Sequence, residues 1–494
     1  MALDALLQGL SLSGVLTAVA ISSLFLVFVR RRYGSSISDV PGPFIGSFSV
    51  LWLLWSILRG QLGQATIEAH RKYGKLVRIA YNEVSISDPD GIEQVLKSKM
   101  DKGDWYKITS LPDSRFINQM SETNARRHIE KQKNIASGYT LSNIIKSEPY
   151  IDNLLSLFRS RLDELAAAKQ PVKFEQWFNY LAFDIVGEVT FSRQFGFLVQ
   201  GRDIGNAIAN QGFLTLYLSV VGYFQWVHNL LLANPLIEYF NLQPAMHVFD
   251  TCVAAIDARS KNDKVRKDMI EQWMGTRKKH PESMDQKEIF AAAVATIGAG
   301  ADTISAVLQA LFYYLLRSPK TFDLLREEID NAQLSSIPSY EETQKLELLQ
   351  ACIKETYRFH TPVSLNLSRI SPPGGVIVCG RHFEPGVLLS INPWAIHRLT
   401  SIFGADADSF NPLRWLGSSD SIRQMDRNMV AFGAGYNQCP GRNLAHLEVS
   451  KAAALMVRDY DIKQVNPGQE WKFMSHFAAI PHDWPCWVTP RKRS

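Results

Sequence analysis

The residues with the clearest capacity for chemistry lie in the loop 432–441, FGAGYNQCPG, which holds a single cysteine, Cys439. No second cysteine or histidine is near enough to complete a zinc site, because zinc ligands come in spaced pairs. Gly433 and Gly435 let the backbone turn sharply and approach a flat macrocycle without Cβ clashes, while the ring of Phe432 can shield the sulfur. A buried structural cysteine is the alternative. The spacing favours an axial thiolate ligand of a haem iron.

The segment after Gly441, RNLAHLEVSKAAALMV, has the pattern of a helix. The free N–H groups and the positive end of such a helix would stabilise an anionic sulfur at Cys439. This order of loop, cysteine and helix therefore predicts a thiolate at this position.

The longest predicted helix begins near Ser283, where S-x-x-Q offers a capping box, and stops before Pro319. Its middle is apolar nearly all round, so it must be buried. Even so, this middle contains Gly298, Gly300 and the acid Asp302. Each glycine costs about 1 kcal/mol relative to alanine, and a lone buried carboxylate costs several kcal/mol. These three residues therefore need an explanation.

Two explanations fit this helix. A close helix–helix contact with a locally solvated acid requires no function. Alternatively, the helix opens so that a small ligand lies beside Asp302 and Thr303, and the Thr303 hydroxyl donates to the Ala299 carbonyl, which helps to distort the helix. We favour the second explanation, which makes Asp302 and Thr303 the candidate catalytic residues.

Composition limits the class of protein. The chain has 494 residues, of which 46% are apolar, enough to bury a large core. Residues 61–494 contain no long linker, repeat or low-complexity tract, so one large domain is the simpler organisation. The net charge of +5 is too weak and too dispersed to indicate nucleic-acid binding. Five widely spaced cysteines form no disulfide framework, which indicates a reducing compartment for the main domain.

The N-terminus has a different character. Ala5–Val29 carries no charge and ends on three arginines, Arg30 to Arg32. Its 25 residues would span about 38 Å as a helix, enough to cross a bilayer. A cleaved signal peptide is the alternative, but a charged N-terminal region is missing. We therefore predict a retained membrane anchor over residues 1–32, with residues 33–494 in the cytosol by the positive-inside rule.

The next segment links the anchor to the main domain. Pro41-Gly42-Pro43 predicts a rigid turn that separates the anchor from the folded body. The apolar stretch Phe48–Leu58 is too short to span a bilayer, so we expect it at the membrane interface or against the core. Residues 33–60 are thus a proline hinge with an interfacial segment, and residues 61–494 are the haem-binding domain.

Helix dominates the rest of the sequence. Leu76–Ile79 and Glu83–Ile86 alternate well enough for a small hairpin, and Gly374–Ile391 is a second β-rich patch. Long helical patterns include Tyr150–Ala168 and Lys320–Gln333. The expected fold class is mainly α (α+β): one large helix-rich domain with small β-sheets, preceded by a transmembrane helix.

Four motifs in one order carry a family resemblance. They are AGADT (299–303), ETYR (355–358), FNPLRW (410–415) and the cysteine loop. The first three are weak alone and strong in register with the fourth. The chain resembles a cytochrome P-450, a haem-thiolate monooxygenase, of the membrane-anchored microsomal kind and in the fungal style.

The resemblance implies roles for these residues. Glu355 and Arg358, which share a helix face, would form a structural triad with Arg414 behind the haem. Asn437 replaces the arginine or histidine that contacts a haem propionate in most members. Lys131, Lys133 and Arg369 are candidate substitutes. The haem pocket would comprise Ala299, Gly300, Arg369, Lys131, Lys133, Phe432, Gly433, Gly435, Asn437 and Gly441, with Cys439 as the ligand of the iron.

The implied chemistry is reductive activation of O₂ on haem b, with the thiolate pushing electron density toward O–O cleavage. Asp302 and Thr303 would relay protons as acid and hydroxyl. Electrons would come from NADPH through a separate reductase, with cytochrome b5 as a second candidate partner, because no nucleotide-binding signature appears in the sequence. The expected location is the endoplasmic reticulum membrane.

The sequence gives less information about the substrate. The apolar segment Gly212–Phe240 is a core helix by its pattern alone; the resemblance places it over the substrate entrance, where a lipophilic molecule arrives from the bilayer. Fungal relatives of this type often oxidise terpenoid, polyketide or alkaloid secondary metabolites. A haem-thiolate isomerase or dehydratase, and a non-catalytic haem-binding redox protein, stay open as alternatives. By family analogy the substrate contacts are Phe116, Ala295, Ala299, Val363, Leu365 and Phe477.

Overall fold

A computed structural model describes residues 12–110, 116–234, 236, 239–240, 247–260 and 266–491. Within these ranges the chain forms fourteen helices of eight or more residues, joined by short helical turns and loops. The helices are α1 Leu12–Tyr33, α2 Leu51–Leu58, α3 Leu62–Tyr73, α4 Ala125–Ile135, α5 Glu148–Ala167, α6 Phe174–Phe191, α7 Ala207–Val221, α8 His247–Ser260, α9 Met269–Lys279, α10 Gln286–Leu316, α11 Pro319–Asn331, α12 Glu347–Phe359, α13 Ser419–Arg427 and α14 Arg442–Asp459.

Four small sheets accompany the helices in the described chain. The largest has the strand order β1-β2-β6-β3, in which β2 and β6 run parallel and the other neighbours run antiparallel. Three two-stranded sheets pair β4 with β5, β7 with β10 and β8 with β9. The strands are β1 Leu76–Ala80, β2 Glu83–Ile86, β3 Leu367–Ile370, β4 Val376–Val378, β5 Arg381–Phe383, β6 Leu388–Ile391, β7 Tyr460–Gln464, β8 Lys472–Ser475, β9 Ala479–His482 and β10 Cys486–Pro490.

These elements confirm the predicted fold class. The hairpin β1–β2 lies where the alternating pattern placed it, and the patch Gly374–Ile391 contains β4, β5 and β6. The two helical patterns correspond to α5 and α11 within three residues at each end. Local pattern was sufficient here because each of these segments has the period of its own element.

The start of the long helix α10 differs from the prediction. Asp285, not Ser283, is its N-cap, and the Asp285 carboxylate accepts a hydrogen bond from the backbone N–H of Glu288 at 2.8 Å. Ser283 instead donates to the His280 carbonyl at 3.2 Å. Serine and aspartate are comparable N-caps, so the sequence offered two starts two residues apart. The helix is then continuous through Gly298, Gly300 and Asp302, so the predicted opening is not present as a break.

Two described helices are long and apolar enough to span a membrane. In α10, 67% of the apolar 18-residue stretch is buried, so α10 is the central core helix, packed along α6 and α14. In α1 no residue is buried, and the helix ends on Arg30, Arg31 and Arg32. The helix α1 is therefore a candidate membrane anchor, while residues 1–11 of the predicted anchor lie outside the described residues.

The linker between the anchor and the sheet packs tightly against β1. The Pro41 carbonyl accepts a hydrogen bond from the backbone N–H of Arg78 at 2.8 Å. A Cβ on Gly42 would lie 2.2 Å from the Arg78 carbonyl oxygen, so only glycine fits this approach. Arg78 also donates to the Arg31 carbonyl at the end of α1, at 2.6 Å. The proline turn is thus joined to the sheet edge.

Candidate active site

One large cavity, of about 430 Å³, brings the AGADT motif and the cysteine loop together. It lies between the middle of α10, the helix α7, the loop before α14 and the chain around β3. Most of the residues predicted for the haem pocket and the substrate line it. These are Ala295, Ala299, Gly300, Thr303, Val363, Leu365, Arg369, Phe432, Gly433, Asn437, Cys439, Gly441 and Phe477.

The cysteine loop needs two of its glycines for reasons that the structure makes explicit. Gly433 and Gly435 have φ angles of +69° and +66°, which favour glycine. A Cβ on Gly435 would lie 2.4 Å from the Leu96 carbonyl oxygen. The backbone N–H of Cys439 donates to the Phe432 carbonyl at 2.8 Å and closes the loop.

The Cys439 side chain is exposed toward the cavity rather than toward the outer surface. Burial by the surrounding protein raises the pKa of the Cys439 thiol, and hydrogen bonds from the backbone N–H groups of Gly441 and Arg442 oppose that shift. These two residues are the N-cap and the first residue of α14. The helix start therefore favours the anionic form of the sulfur, in the way that the order of loop and helix predicts.

Glu355, Arg358 and Arg414 form one buried ionic cluster. Arg358 Nη2 lies 2.7 Å from Glu355 Oε1, and both side chains have 0% exposure. Arg414 Nε lies 3.2 Å from the same carboxylate oxygen. The other side of the Glu355 carboxylate accepts from the indole N–H of Trp415 at 2.9 Å. Trp415 is a partner that the sequence motif alone did not reveal.

Arg358 also fastens the chain that follows β6. Its guanidinium donates to the carbonyls of His397 and Ala407, each at 2.7 Å, and of Ser409 at 2.9 Å. Because buried carbonyls need donors, Arg358 satisfies three of them at once. The cluster therefore ties α12 to the segment that precedes the cysteine loop.

The two candidate catalytic residues of α10 face different ways. Thr303 lines the cavity, and its hydroxyl contacts the carbonyls of Ala299 at 2.8 Å and Gly300 at 3.2 Å. Asp302 is 6% exposed and does not line the cavity; its carboxylate accepts from the Asn179 amide at 2.9 Å. Burial raises the pKa of Asp302, and hydrogen bonds from Asn179 and Gln211 oppose the shift.

The glycines of α10 allow close approaches by neighbouring helices, which is the first of the two explanations for them. A Cβ on Gly300 would lie 3.1 Å from the Val186 side chain of α6, which is a close helix–helix contact. Gly298 has no such neighbour, but its carbonyl accepts a hydrogen bond from the Gln211 amide of α7. Asn179 and Gln211 were not predicted, because only the tertiary fold brings α6 and α7 beside Asp302.

Two buried cations line the same cavity. Lys102 and Arg369 are each 2% exposed, and their backbones form an antiparallel bridge next to β3. Lys102 Nζ donates to the carbonyls of Gln119 and Met120 at 2.9 Å, while Arg369 Nε has no hydrogen-bond partner. Among the described residues neither cation forms an ion pair with a carboxylate. A buried charge without a counter-charge is costly, so this wall fits an anionic ligand.

The other predicted propionate contacts differ from one another. Lys131 forms an ion pair with Glu288 at 2.5 Å, and Lys133 is exposed; neither lines the cavity. Asn437 does line it, and its Nδ2 is buried without a partner. The position of Arg369 supports the prediction made for it, whereas Lys131 and Lys133 have no geometric support.

Two residues of α4 complete the polar wall. His128 and Gln132, one helical turn apart, line the cavity beside Lys102. The His128 ring contacts the Tyr436 carbonyl at 3.1 Å and the Gln119 carbonyl at 2.6 Å. Burial lowers the pKa of His128 to about 4, and the charge of Lys102 adds to this effect. A neutral His128 is therefore expected at physiological pH.

The predicted substrate contacts are found on the cavity wall, with one exception. Phe477 stacks on Trp105, with ring centroids 6.2 Å apart. Phe116 packs against Phe290 at 4.9 Å and is not among the lining residues, and the neighbouring residues 111–115 lie outside the described chain. Within Gly212–Phe240, α7 contributes lining residues, whereas Pro235 is outside the described residues.

The residues of this cavity fit a haem. The thiol of Cys439 points into it from a glycine loop, and two buried basic side chains without carboxylate partners in the described part of the chain match a ligand with two carboxylates. Cys439 would bind the iron, Lys102 and Arg369 would bind the propionates, and Phe432 would cover the sulfur. Phe432 is held there by ring contacts with Tyr357 at 4.8 Å and His446 at 5.5 Å.

Comparison with known proteins gives an independent result. The family model for cytochrome P-450 matches residues 41–482. The cytochrome P-450 monooxygenase gsfF of Penicillium aethiopicum is 31% identical over 473 residues, 91% of this chain and 93% of the relative. The monooxygenase cicH of Emericella nidulans is 32% identical, covering 94% and 95%. Pisatin demethylase of Fusarium vanettenii is 28% identical, covering 97% and 93%. The chain belongs to the cytochrome P-450 family, as one of its monooxygenases.

Proposed function

We propose that this monooxygenase hydroxylates or otherwise oxidises a lipophilic small molecule, using O₂ and electrons from NADPH. One observation carries the proposal. Cys439 and Thr303 line the same mainly apolar cavity, one wall of which is formed by the basic side chains of Lys102 and Arg369. The thiolate side and the oxygen-binding helix thus meet in a space that can hold both a haem and an organic substrate.

Each residue has a distinct task in this proposal. When bound, haem b supplies the site at which O₂ is reduced and one oxygen atom is transferred to a C–H bond. Cys439 holds the iron as a thiolate, and Lys102 with Arg369 neutralises the propionates. The buried triad of Glu355, Arg358 and Arg414 keeps the segment before the cysteine loop in place.

Proton delivery is assigned to Thr303 and Asp302. The Thr303 hydroxyl lies on the cavity wall, where it can donate a proton into the cavity after releasing the Ala299 carbonyl. Asp302 lies behind it, and burial raises its pKa. The acid can therefore carry a proton at a higher pH than an exposed aspartate and pass it to the Thr303 side by a small rotation or through water.

The substrate is inferred from the wall and from the relatives. Apart from the cationic wall, the cavity is lined mainly by apolar and neutral polar side chains, so a neutral lipophilic molecule is favoured. The relatives come from Penicillium, Emericella and Fusarium. We infer a role in fungal secondary metabolism, on a terpenoid, polyketide or alkaloid scaffold.

The cellular arrangement follows from the ends and surface of the chain. The exposed apolar helix α1, with three arginines at its C-terminal end, fits a single-pass anchor with the main domain in the cytosol. Trp55 of α2 and Trp226 near α7 are more than 60% exposed, which fits contact with the same bilayer. We place the protein in the endoplasmic reticulum membrane, with NADPH–cytochrome reductase, and cytochrome b5 as a second donor, as its partners.

The proposal is tested with full-chain protein in membranes that contain the reductase. An extract of a strain lacking this gene, which accumulates the substrate, is incubated with NADPH and O₂. We expect a compound of the extract to gain one oxygen atom, or to lose two hydrogens, only when NADPH is present. Conversion without NADPH would instead indicate an isomerase or dehydratase, and no conversion of any accumulated compound would contradict the proposal.

Thr303→Ala is expected to uncouple the reaction. Without the hydroxyl, protons reach the bound oxygen in a less ordered way, so hydrogen peroxide is released at the expense of product. We expect product per NADPH to fall by about tenfold, less than the roughly hundredfold or greater effect typical of a lost general acid, because water can partly replace the hydroxyl, while NADPH consumption persists. Thr303→Ser is the matched control, since it keeps the hydroxyl. Equal coupling in the alanine variant and the wild type would remove Thr303 from the mechanism.

A further inference from the structure

The helix α7 covers the cavity but is weakly packed. Six of its residues line the cavity, whereas only Ala207 and Ser219 of its fifteen residues are buried. Phe213, on the opposite face, is 60% exposed. Elements with few buried apolar contacts open more easily than the core. Any ligand in the cavity therefore contacts a helix that can shift its position over the cavity.

One side chain of α7 connects it to the oxygen-binding part of α10. The Gln211 amide donates to the carbonyl of Gly298. In a regular helix this carbonyl is the acceptor of the Asp302 backbone N–H, because α-helical bonds run from residue i to i−4. Gln211 thus shares the backbone acceptor that holds Asp302 in the helix.

The next two carbonyls of α10 are shared in the same way. The Thr303 hydroxyl contacts the carbonyls of Ala299 and Gly300 at 2.8 and 3.2 Å. Three consecutive carbonyls, 298 to 300, therefore have a side-chain donor in addition to their helical donor. Competing donors weaken helical hydrogen bonds and are a common cause of local distortion. The backbone hydrogen bonds of this turn are therefore weakened by competing donors.

Gln211 also faces the acid itself. The Asn179 amide donates to the buried Asp302 carboxylate at 2.9 Å, and the Gln211 side chain is near enough to help lower the pKa of Asp302 against the effect of burial. Asn179 is buried in α6, and most residues of that helix are buried as well. Gln211 belongs to the loosely packed α7. Of the two amides, Gln211 is therefore the one on the element that moves more easily.

We propose that Gln211 is a positioning residue that couples the seating of α7 over the cavity to the conformation of the turn 298–303, and so prepares Asp302 and Thr303 for proton delivery when substrate is bound. This inference rests on the proposed function. When α7 lies over the cavity, Gln211 donates to the Gly298 carbonyl and lies beside the Asp302 side chain. When α7 moves away from the cavity, the Gly298 carbonyl loses this donor and Asp302 loses its neighbour, so the turn 298–303 and the Asp302 side chain become more mobile together.

The test compares hydrogen exchange in the full-chain, haem-loaded protein and in two variants. Gln211→Met keeps the length of the side chain and removes both N–H donors, and Phe213→Leu is a control on the exposed face of α7. We expect Gln211→Met to accelerate exchange of the backbone amides of α7 and of residues 298–303 together, by about fivefold for one lost hydrogen bond. Phe213→Leu should leave both segments at the wild-type rate.

A second measurement separates coupling from packing. With reductase and NADPH, the Gln211→Met protein should release about threefold more peroxide per NADPH, as expected when proton delivery is less ordered. Acceleration of α7 alone, with turn 298–303 and the peroxide ratio unchanged, would overturn the proposal. If Gln211→Met does not fold, Gln211→Glu serves in its place, because an ionised carboxylate cannot donate. Failure of the proposed function is distinguished separately, because the wild type would then show no NADPH-dependent oxidation of any compound in the extract.

Discussion

Arg358→Met is expected to destabilise the protein by about 3–5 kcal/mol, the cost of removing one partner from a fully buried ion pair. The Glu355 carboxylate would keep Arg414 and Trp415 but lose its closest cation, at 2.7 Å. The three carbonyls that accept from Arg358 would lose a donor as well. We expect little soluble haem-loaded protein, measured by thermal unfolding and by the ratio of haem to protein.

Arg71→Met provides the matched control for this prediction. Arg71 pairs with Asp408 at 2.6 Å, but the two side chains are 53% and 60% exposed. Because water and ions screen such a pair, its loss should cost no more than about 1 kcal/mol. If both variants lost the same small amount of stability, the buried triad would not hold the segment before the cysteine loop, and its structural role would be refuted.

Lys102→Met and Arg369→Met are expected to release haem faster than the wild type. Each removes a charge-assisted interaction of about 1.5–3 kcal/mol with a propionate, which corresponds to a tenfold to hundredfold faster loss. The same changes should alter the stability of the haem-free protein much less, because removal of a buried basic group that has no carboxylate partner among the described residues offsets the loss of its hydrogen bonds to backbone carbonyls. Haem transfer to an acceptor protein and thermal unfolding of the haem-free chain measure the two effects.

Lys131→Met is the control for the cationic wall. Lys131 is a basic residue of α4 next to Gln132, which lines the cavity. Lys131 itself is paired with Glu288 and does not line the cavity. Its replacement should leave haem transfer unchanged. Faster haem loss from Lys131→Met than from Lys102→Met would show that the propionates lie elsewhere.

The sequence predicted the arrangement of those site residues whose positions depend on local spacing. Cys439 in its glycine loop, the pair Glu355 and Arg358 one helical turn apart, and Thr303 four residues after Ala299 all depend on neighbours within the same segment. The hairpin β1–β2 and the helices α5 and α11 follow from periodicity for the same reason.

The partners that were missed come from distant parts of the chain. Lys102 lies in a polar stretch, SKMDKGDWY, in which a lysine is expected at the surface. Its backbone bridge to Arg369 places it on the buried cavity wall instead. Asn179 and Gln211 reach Asp302 because α6 and α7 pack beside α10. No local pattern distinguishes these amides from ordinary polar residues of a helix.

The long helix shows a different limit. Its sequence predicts a site beside Asp302, but not which way the residues face. A rotation of 100° per residue along the helix places Thr303 on the cavity and Asp302 against α6. The face that a residue occupies depends on how the whole helix is seated, and that is decided by the packing of α6, α7 and α14 around it.

The central claim is that Cys439 is the thiolate ligand of a haem, and one spectrum tests it directly. The reduced full-chain protein is exposed to carbon monoxide and its Soret band is recorded for the wild type and for Cys439→Ser. We predict the strongly red-shifted band of a haem-thiolate in the wild type and its loss in the variant. A wild-type spectrum without this band, or a band that survives in Cys439→Ser, would contradict the account.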